Sequence, residues 1–147
     1  MPENSFALSR FVQAQEDVYD HVFAELQSGK KRSHWMWFIF PQFDGLGFSQ
    51  TSEHFAIKSI EEAKAYLEHP ILGPRLLECA DAVMKSEGRT AHEIFGPPDD
   101  SKLQSCATLF GCVEAPGSVF DRLLEKYYQG RRDGKTLKLL GLEFSEN

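Results

Sequence analysis

Residues 34–43 read HWMWFIFPQF, and this run of aromatic and aliphatic side chains decides the fold. It is apolar on every side, so its periodicity does not separate a buried strand from a short buried helix. A lone strand would leave its backbone N–H groups unpaired in the core, which favours the helix. Pro41 ends the segment in either case. We therefore predict a short buried central helix near residues 34–41.

The sequence on both sides of this segment carries apolar stripes at helical spacing. One stripe predicts an amphipathic helix over residues 9–28, ended by Gly29. Two pairs of residues have the spacing of a capping box, and each predicts the start of a helix: Ser59 with Glu62, and Thr90 with Glu93.

The second half of the chain reads as further short helices separated by Gly and Pro. They are predicted over residues 72–87, over residues 101–113 with Asp99 or Asp100 as the cap, after Ser118 as far as Gly130, and, as a short helix or an extended tail, over residues 136–142. Alternation typical of strands is nearly absent. The prediction is an all-α fold of about seven to nine helices, by the helix start and stop signals.

Length and composition indicate one globular domain. The chain has 147 residues, of which 41% are hydrophobic and 26% charged, and it contains 12 Phe. A chain of this length buries enough surface for one core. We expect a compact multihelical single domain over residues 1–147, with an ordered core at about residues 9–142.

The charge balance disfavours nucleic-acid binding. The net charge is −6, whereas general nucleic-acid binders carry a basic domain or face. Two short basic runs exist, Lys30 to Arg32 and Arg131 with Arg132, and we interpret both as solvated segments that follow helices. No nucleic-acid partner is expected.

Cysteine usage and hydropathy predict a soluble, cytoplasmic protein. Cys79, Cys106 and Cys112 are an odd set without the spacing of a disulfide framework or a zinc site, so reduced and mostly buried thiols are expected. The first residues lack the features of a signal peptide. The longest apolar run, residues 35–41, is too short to span a bilayer, and no membrane association is expected.

Cofactor and metal motifs are missing from the sequence. The five His do not pair at helical spacing, and neither a Gly-rich dinucleotide loop nor a phosphate-binding loop is present. The prediction is no metal and no cofactor. Cys106 and Cys112 have apolar surroundings, which disfavour a nucleophilic thiol.

Trp37 and Gln42 are candidates for ligand binding. An aromatic ring beside a few polar groups is the usual lining of a small-molecule pocket. The alternative is that the rings of Trp35 and Trp37 are core packing. Truncation of a buried Trp37 to Ala is expected to cost about 3–5 kcal/mol of stability.

Asp100 and Lys102 are the second pair of candidates. They lie where the segment Gly96-Pro97-Pro98 leads into a helix. In one interpretation Asp100 caps the helix and Lys102 is solvated. In the other, the two side chains line a cleft in which Lys102 binds an anionic group.

Glu53 is the candidate catalytic residue. It stands in the segment Ser52-Glu53-His54-Phe55, ahead of Lys58. A Glu in a cleft serves as a general base when a cationic partner is near, and His54 or Lys58 is the potential partner. The alternative is a short amphipathic helix with its apolar side chains turned inward.

Four strings resemble one family. They are HWMWFIFPQ at residues 34–42, GLG at 45–47, YLEHPILGPRL at 66–76 and IFGPPDDSKL at 94–103. Together they are similar to the DUF1810 family of bacteria and fungi, from about residue 11 to residue 140. The resemblance implies a compact multihelical fold and no established activity. Some members are labelled calpastatin, but calpain-inhibitory segments are disordered and repetitive, and this chain is neither.

A second, shorter resemblance is to the NADAR superfamily, which acts on N-glycosidic bonds of ADP-ribose or riboflavin-pathway compounds. The segment Ser52-Glu53-His54-Phe55, with Lys58 after it, is similar to the Glu-His segment on an early helix of that superfamily. Its terminal Trp-Gly-x-Gly pattern is missing here. The resemblance implies an N-glycosidase-like hydrolase with Glu53 as the base.

Two functions follow. The first is binding of a nucleotide-like or ADP-ribose-like metabolite, with N-glycosidic hydrolysis as the reaction: Trp37 would stack on a ring, Gln42 and Asp100 would fix polar edges, and Lys102 would meet phosphate. The second is a non-catalytic protein-interaction or structural module. Convergence of these four residues on one concave site favours the first, and their dispersal favours the second.

Overall fold

The computed structural model describes residues 6–142, and within this range the chain forms ten helices. They are α1 Ser9–Gln15, α2 Tyr19–Ser28, α3 Met36–Ile39, α4 Gln50–His54, α5 Ile60–Glu68, α6 Leu72–Lys85, α7 Ala91–Phe95, α8 Asp99–Val113, α9 Val119–Tyr128 and α10 Gly134–Leu140. The extended pairing of the described residues is a single parallel bridge between Phe43 and Ile57. The predicted all-α class is confirmed.

The longest helix, α8, forms the centre of the fold. Its residues from Ser105 to Gly111 are all buried, so it is surrounded rather than one-sided. Helices α5, α7, α9 and α10 pack directly on it, while α6 packs on α2, α5 and α9. Among residues 6–142 no helix combines the length and apolarity needed to cross a bilayer.

The short helix predicted near residues 34–41 is confirmed as α3. Met36 and Ile39 are buried in the core, whereas Trp37 and Phe38 are half-buried. The helix is therefore not buried on every side, and one of its faces reaches the surface. That face carries Trp37, which matters for the candidate site.

The continuous helix predicted over residues 9–28 is wrong, because the chain breaks between Gln15 and Tyr19. The break allows α1 to pack on α3 while α2 packs on α6. Gln15, at the end of α1, is buried, and its Nε2 donates to the carbonyl of Phe38 at 2.7 Å. This break and the additional helix α4 raise the helix number above the predicted seven to nine.

The local capping signals were partly right. Thr90 and Glu93 form the complete capping box at the start of α7. Ser59 caps α5 by accepting from the Glu62 backbone N–H, but the Glu62 carboxylate accepts from the backbone N–H of Lys58 instead of completing the box.

The predicted cap of α8 is wrong. This helix starts at Asp99 and follows Pro98 without a side-chain cap, so neither Asp99 nor Asp100 has the capping role. Both aspartates lie inside the first turn, where a negative charge still interacts favourably with the helix dipole. Their side chains are free to serve other partners.

Gly73 fixes the junction between α5 and α6, and this gives a stability prediction. A Cβ atom on Gly73 would lie 2.1 Å from the carbonyl oxygen of Leu67, a backbone atom that cannot rotate away. We expect Gly73→Ala to lower the free energy of unfolding by about 1–3 kcal/mol or more, because the two helices must separate. Urea denaturation measures the loss.

Gly134→Ala is the matched control. Gly134 also lies in the first turn of a helix, and no heavy atom of residues 6–142 lies within 4 Å of the position its Cβ would take. Alanine has the higher helix propensity, so this variant should be neutral or stabilised by up to about 1 kcal/mol. Equal stability of the two variants would show that the contact at Leu67 does not constrain the junction.

Candidate functional site

Trp37 and Lys102, two of the predicted ligand-binding residues, lie together in the structure. Trp37 is half-buried on α3, and Lys102 lies near the start of α8. The Lys102 Nζ atom stands 4.8 Å from the centre of the Trp37 ring. An ammonium at this distance over an indole makes a favourable cation–π contact. Two candidates from distant parts of the sequence thus share one surface.

Asp99 joins this pair to a second lysine and a second tryptophan. Its Oδ1 lies 3.5 Å from Lys102 Nζ, and its Oδ2 lies 2.8 Å from Lys31 Nζ. Lys31 Nζ in turn stands 5.1 Å from the centre of the Trp35 ring. We call this continuous set the Trp–Lys cluster: Lys31, Trp35, Trp37, Asp99 and Lys102. Nothing in the sequence distinguishes Asp99 as the site residue, because Asp100 beside it has the same residue type and the same neighbours.

The interpretation of residues 30–32 as a solvated basic run is wrong for Lys31. Its side chain is only 8% exposed, and its backbone N–H donates to the carbonyl of Ile94 at 2.8 Å. Lys30 and Arg32 remain exposed. Exposure alternates as it does in extended chain, where neighbouring side chains point in opposite directions. The sequence carries no signal for this burial, because the three residues are all cationic and the partner of Lys31 is the distant Asp99.

Asp100 faces away from the Trp–Lys cluster. Its Oδ2 lies 3.3 Å from Nδ1 of His92, and its Oδ1 accepts from the backbone N–H of Ser101 at 2.9 Å. The hydroxyl of Tyr128 donates to its backbone carbonyl. These contacts join Asp100 to α7 and α9.

Gln42 lines a small cavity with Trp37 rather than an open cleft. The cavity, closed by Gly45, Gly47 and Ser52, has a volume of about 10 Å³. That is room for about one water, whereas metabolite pockets have volumes of about 300–1,000 Å³. The closure is tight, since a Cβ on Gly47 would lie 2.6 Å from the side chain of Ser52. The four ligand-binding candidates therefore do not line one concave site.

Glu53 is exposed on α4 and is not part of the Trp–Lys cluster. Of its two potential partners, Lys58 approaches the Glu53 backbone carbonyl at 3.5 Å, not the carboxylate. The His54 ring packs edge-on against Phe55, with ring centres 4.6 Å apart. The segment matches its alternative interpretation as a short helix better than an acid–base pair.

Comparison with known proteins places the chain in a family. Residues 5–140 match the family described as "Protein of unknown function (DUF1810)". The chain belongs to the DUF1810 family. It is also similar to the conserved hypothetical protein Rv1873 from Mycobacterium tuberculosis, with 51% identity and a TM-score of 0.92, over 94% of this chain and 99% of that one. No curated protein matches the chain.

The family assignment confirms the resemblance seen in the four sequence strings. Neither the DUF1810 match nor the crystal structure of the mycobacterial protein links the chain to the NADAR superfamily. The family is uncharacterised, so it supplies no activity, and any function must be argued from the contacts of this chain.

In this DUF1810 member, buried Glu25 supports the Trp–Lys cluster, and sequence analysis did not identify it. Its Oε1 accepts from the indole N–H of Trp35 and from the backbone N–H of Arg32, both at 2.8 Å. Its Oε2 accepts from the hydroxyl of Ser33 at 2.6 Å. Burial by itself raises the pKa of Glu25, but these hydrogen bonds outweigh it and lower the pKa to about 2.

Glu25 therefore predicts a loss of stability in acid. Its pKa falls from 4.5 in the unfolded chain to about 2 in the folded one, so the stabilisation is complete above pH 4.5 and is lost as the pH falls towards 2. A shift of this size corresponds to about 3 kcal/mol near neutral pH. Glu25→Gln should be less stable than the native protein near neutral pH, with the difference shrinking at about pH 3, where Glu25 is largely protonated in the unfolded chain. A difference that is the same at both pH values would contradict the role of the charge.

The three thiols are free, as expected. Cys79 and Cys106 are buried and Cys112 is half-buried. Burial raises the pKa of Cys79 to about 12 and also raises that of Cys106 and Cys112. A protonated thiol is a poor nucleophile, which disfavours cysteine catalysis. Among residues 6–142, no group of three or more His, Cys, Asp or Glu side chains is arranged to hold a metal ion.

Proposed function

We propose that this protein binds a small nucleotide-like metabolite at Trp37 and Lys102, without a chemical reaction. The observation that carries the proposal is the Lys102 ammonium, 4.8 Å from the centre of a half-buried indole ring. An accessible indole offers a face on which a base stacks. The Lys102 ammonium, which lies over this ring, supplies the charge that a phosphate requires when the lysine turns towards the ligand.

The charges of the cluster permit Lys102 to change partner. The distance from an Asp99 carboxylate oxygen to Nζ is 3.5 Å for Lys102 but 2.8 Å for Lys31. If Lys102 turns towards a ligand phosphate, Asp99 keeps its shorter ion pair with Lys31 and does not become an unpaired, largely buried charge. Leaving a largely buried carboxylate without any cationic partner is costly, and Lys31 avoids that cost because it stays paired with Asp99.

The ligand would lie on the exposed part of the Trp37 ring, taking the place of the Lys102 ammonium. The cavity beneath, at about 10 Å³, accepts no more than one water. A polar edge of the ligand therefore reaches Gln42 only if Gly47 and its loop move away from Ser52. Gln42 is accordingly a secondary contact in this proposal, and Asp100, bound to His92 and Ser101, has no part in it.

Binding is favoured over N-glycosidic hydrolysis because the cluster lacks a suitably placed general base. Such a base needs an oxygen within hydrogen-bond reach of the reacting group. Both Asp99 oxygens are engaged by lysine ammoniums, and Glu53 lies outside the cluster on the exposed helix α4.

Titration with AMP and ADP-ribose, followed by the two tryptophan indole N–H signals in NMR, tests the proposal. The chain has two Trp, so the Trp37 signal is identified by its loss in Trp37→Phe. We expect saturable movement of that signal and at least about tenfold weaker binding in Lys102→Gln, which loses a charge-assisted contact. ADP-ribose should remain intact during incubation.

Lys138→Gln is the matched control, because Lys138 is an exposed lysine on α10, outside the cluster. It should bind both probes as the native protein does. If neither probe moves the Trp37 signal, or if Lys102→Gln binds as tightly as Lys138→Gln, the proposal fails and the non-catalytic interaction module is favoured instead.

A further inference from the structure

A second, basic cleft lies at the C-terminal end of α2. It is an open cleft of about 610 Å³, and three of the side chains that line it are cationic. They stand out in a chain whose net charge is −6. The residues around the cleft are Ser28, Lys30, Arg32, Gly88, Arg89 and Glu93.

One wall of this basic cleft is held in place by Glu25. The buried carboxylate accepts from the backbone N–H groups of Arg32 and Ser33, at 2.8 and 3.2 Å. Lys31 anchors the same segment from the other side through its ion pair with Asp99. The backbone that carries Arg32 is therefore fixed before any ligand arrives, which lowers the entropic cost of binding.

The opposite wall is positioned by Arg89. Its Nη1 donates to the carbonyl of Gly29 at 2.9 Å. Gly29 has a φ of +77°, and a Cβ there would lie 3.4 Å from the Arg89 side chain. A glycine at position 29 thus lets the side chain of Arg89 lie against the end of α2. The remaining guanidinium donors are available to a ligand, because an arginine has five N–H groups.

Glu93, the acidic residue in the lining, takes part in the capping box rather than in an ion pair with these cations. Its Oε1 accepts from the backbone N–H of Thr90 at 2.8 Å as part of the capping box. Lys30 Nζ approaches the Glu93 backbone carbonyl at 3.5 Å, rather than its carboxylate. Within the described part of the chain, Lys30, Arg32 and Arg89 therefore form no ion pair with an acidic side chain.

We propose that the basic cleft binds the phosphate or diphosphate group of a small metabolite. Arginine forks match phosphate oxygens in pairs, and a lysine adds a third charge. Affinity for a nucleic acid comes largely from the neutralisation of many phosphates, and three cations on an acidic protein neutralise only a few. The proposal is independent of ligand binding at Trp37.

Calorimetric titration with inorganic pyrophosphate at low salt tests the proposal, since this probe has no ring to stack on Trp37. We expect saturable binding that weakens at least about tenfold in Arg32→Gln and in Arg89→Gln. Arg132→Gln removes the same charge at an exposed position outside the basic cleft and should bind like the native protein.

Stability measurements separate a binding role from a structural one. Arg89→Gln loses the hydrogen bond to Gly29, so it is accompanied by Arg89→Lys, which retains the charge and should recover part of the affinity. Arg32 is anchored through its backbone, so Arg32→Gln should unfold at nearly the native temperature. The proposal is overturned if pyrophosphate shows no saturable binding, or if Arg32→Gln and Arg132→Gln bind it equally well.

Discussion

Replacement of Arg10 by Ala is expected to lower the free energy of unfolding by about 3–5 kcal/mol, because it leaves Glu62 as a buried and unpaired charge. The Arg10 Nη2 atom lies 2.8 Å from Glu62 Oε2, and the two side chains are 14% and 3% exposed. The same guanidinium donates to the carbonyls of His54 and Ala56 at 2.7 and 2.8 Å. One side chain thereby joins α1, the end of α4 and the start of α5.

Charge and packing can be separated at this position. Arg10→Met keeps most of the side-chain volume but leaves Glu62 unpaired, so it should lose nearly as much stability as Arg10→Ala. Adding Glu62→Gln removes the buried charge and should restore part of the loss. Arg132→Ala, at an exposed position, should change stability by less than about 0.5 kcal/mol. Chemical denaturation measures all four, and an Arg10→Ala protein as stable as Arg132→Ala would contradict the structural role.

The sequence predicted those parts of the fold whose signals are local. The Thr90–Glu93 capping box spans three residues and closes on itself, so its geometry follows from spacing. Gly29 ends α2 at a left-handed position, as its type and place indicate. The helix α3 in the apolar segment at residues 34–43 was also predictable from local sequence. A buried backbone without a neighbouring strand must pair its N–H and C=O groups within the segment, as a helix does.

The parts that could not be predicted depend on distant partners. Glu62 has the spacing of a capping box, yet its carboxylate is drawn to Arg10, which is 52 residues away in sequence. From its sequence neighbours Lys31 is predicted to be solvated, but in the fold its ammonium is paired with the distant Asp99. The break between α1 and α2 likewise follows from packing on two different helices, which no local pattern encodes.

The candidate site was predicted in part. Trp37 and Lys102 were selected from separate segments, and the fold places them in contact. Gln42 and Asp100 were selected by the same kind of reasoning, but one faces a water-sized cavity and the other faces His92. Tertiary contacts decide where a side chain in a loop or in the first turn of a helix points. The spacing of residues in the sequence does not predict that direction.

Trp35→Ala is expected to cost about 3–5 kcal/mol of stability, and Trp37→Ala clearly less, about 1–2 kcal/mol, because the cost follows the apolar surface removed from the core. The sequence alone predicts a cost of about 3–5 kcal/mol for Trp37→Ala as well, on the premise that the Trp37 ring is buried. Trp35 is 2% exposed and packs against Phe40 and Phe95, with ring centres 6.2 and 6.5 Å away. Trp37 is half-buried.

The indole N–H adds a second contribution that Trp35→Phe isolates. This variant keeps an aromatic ring in the core but removes a donor 2.8 Å from Glu25 Oε1, so it should lose about 1.5–3 kcal/mol, the usual value of a hydrogen bond to a charged group. Because the indole N–H stabilises the charged form of Glu25, the loss should fall as the pH is lowered and Glu25 is protonated. Urea denaturation of Trp35→Ala, Trp35→Phe and Trp37→Ala at neutral and acid pH measures the loss of stability in each variant. If Trp37→Ala proved costlier than Trp35→Ala, Trp37 would be the core residue, and its exposed face would no longer be available to stack a ligand.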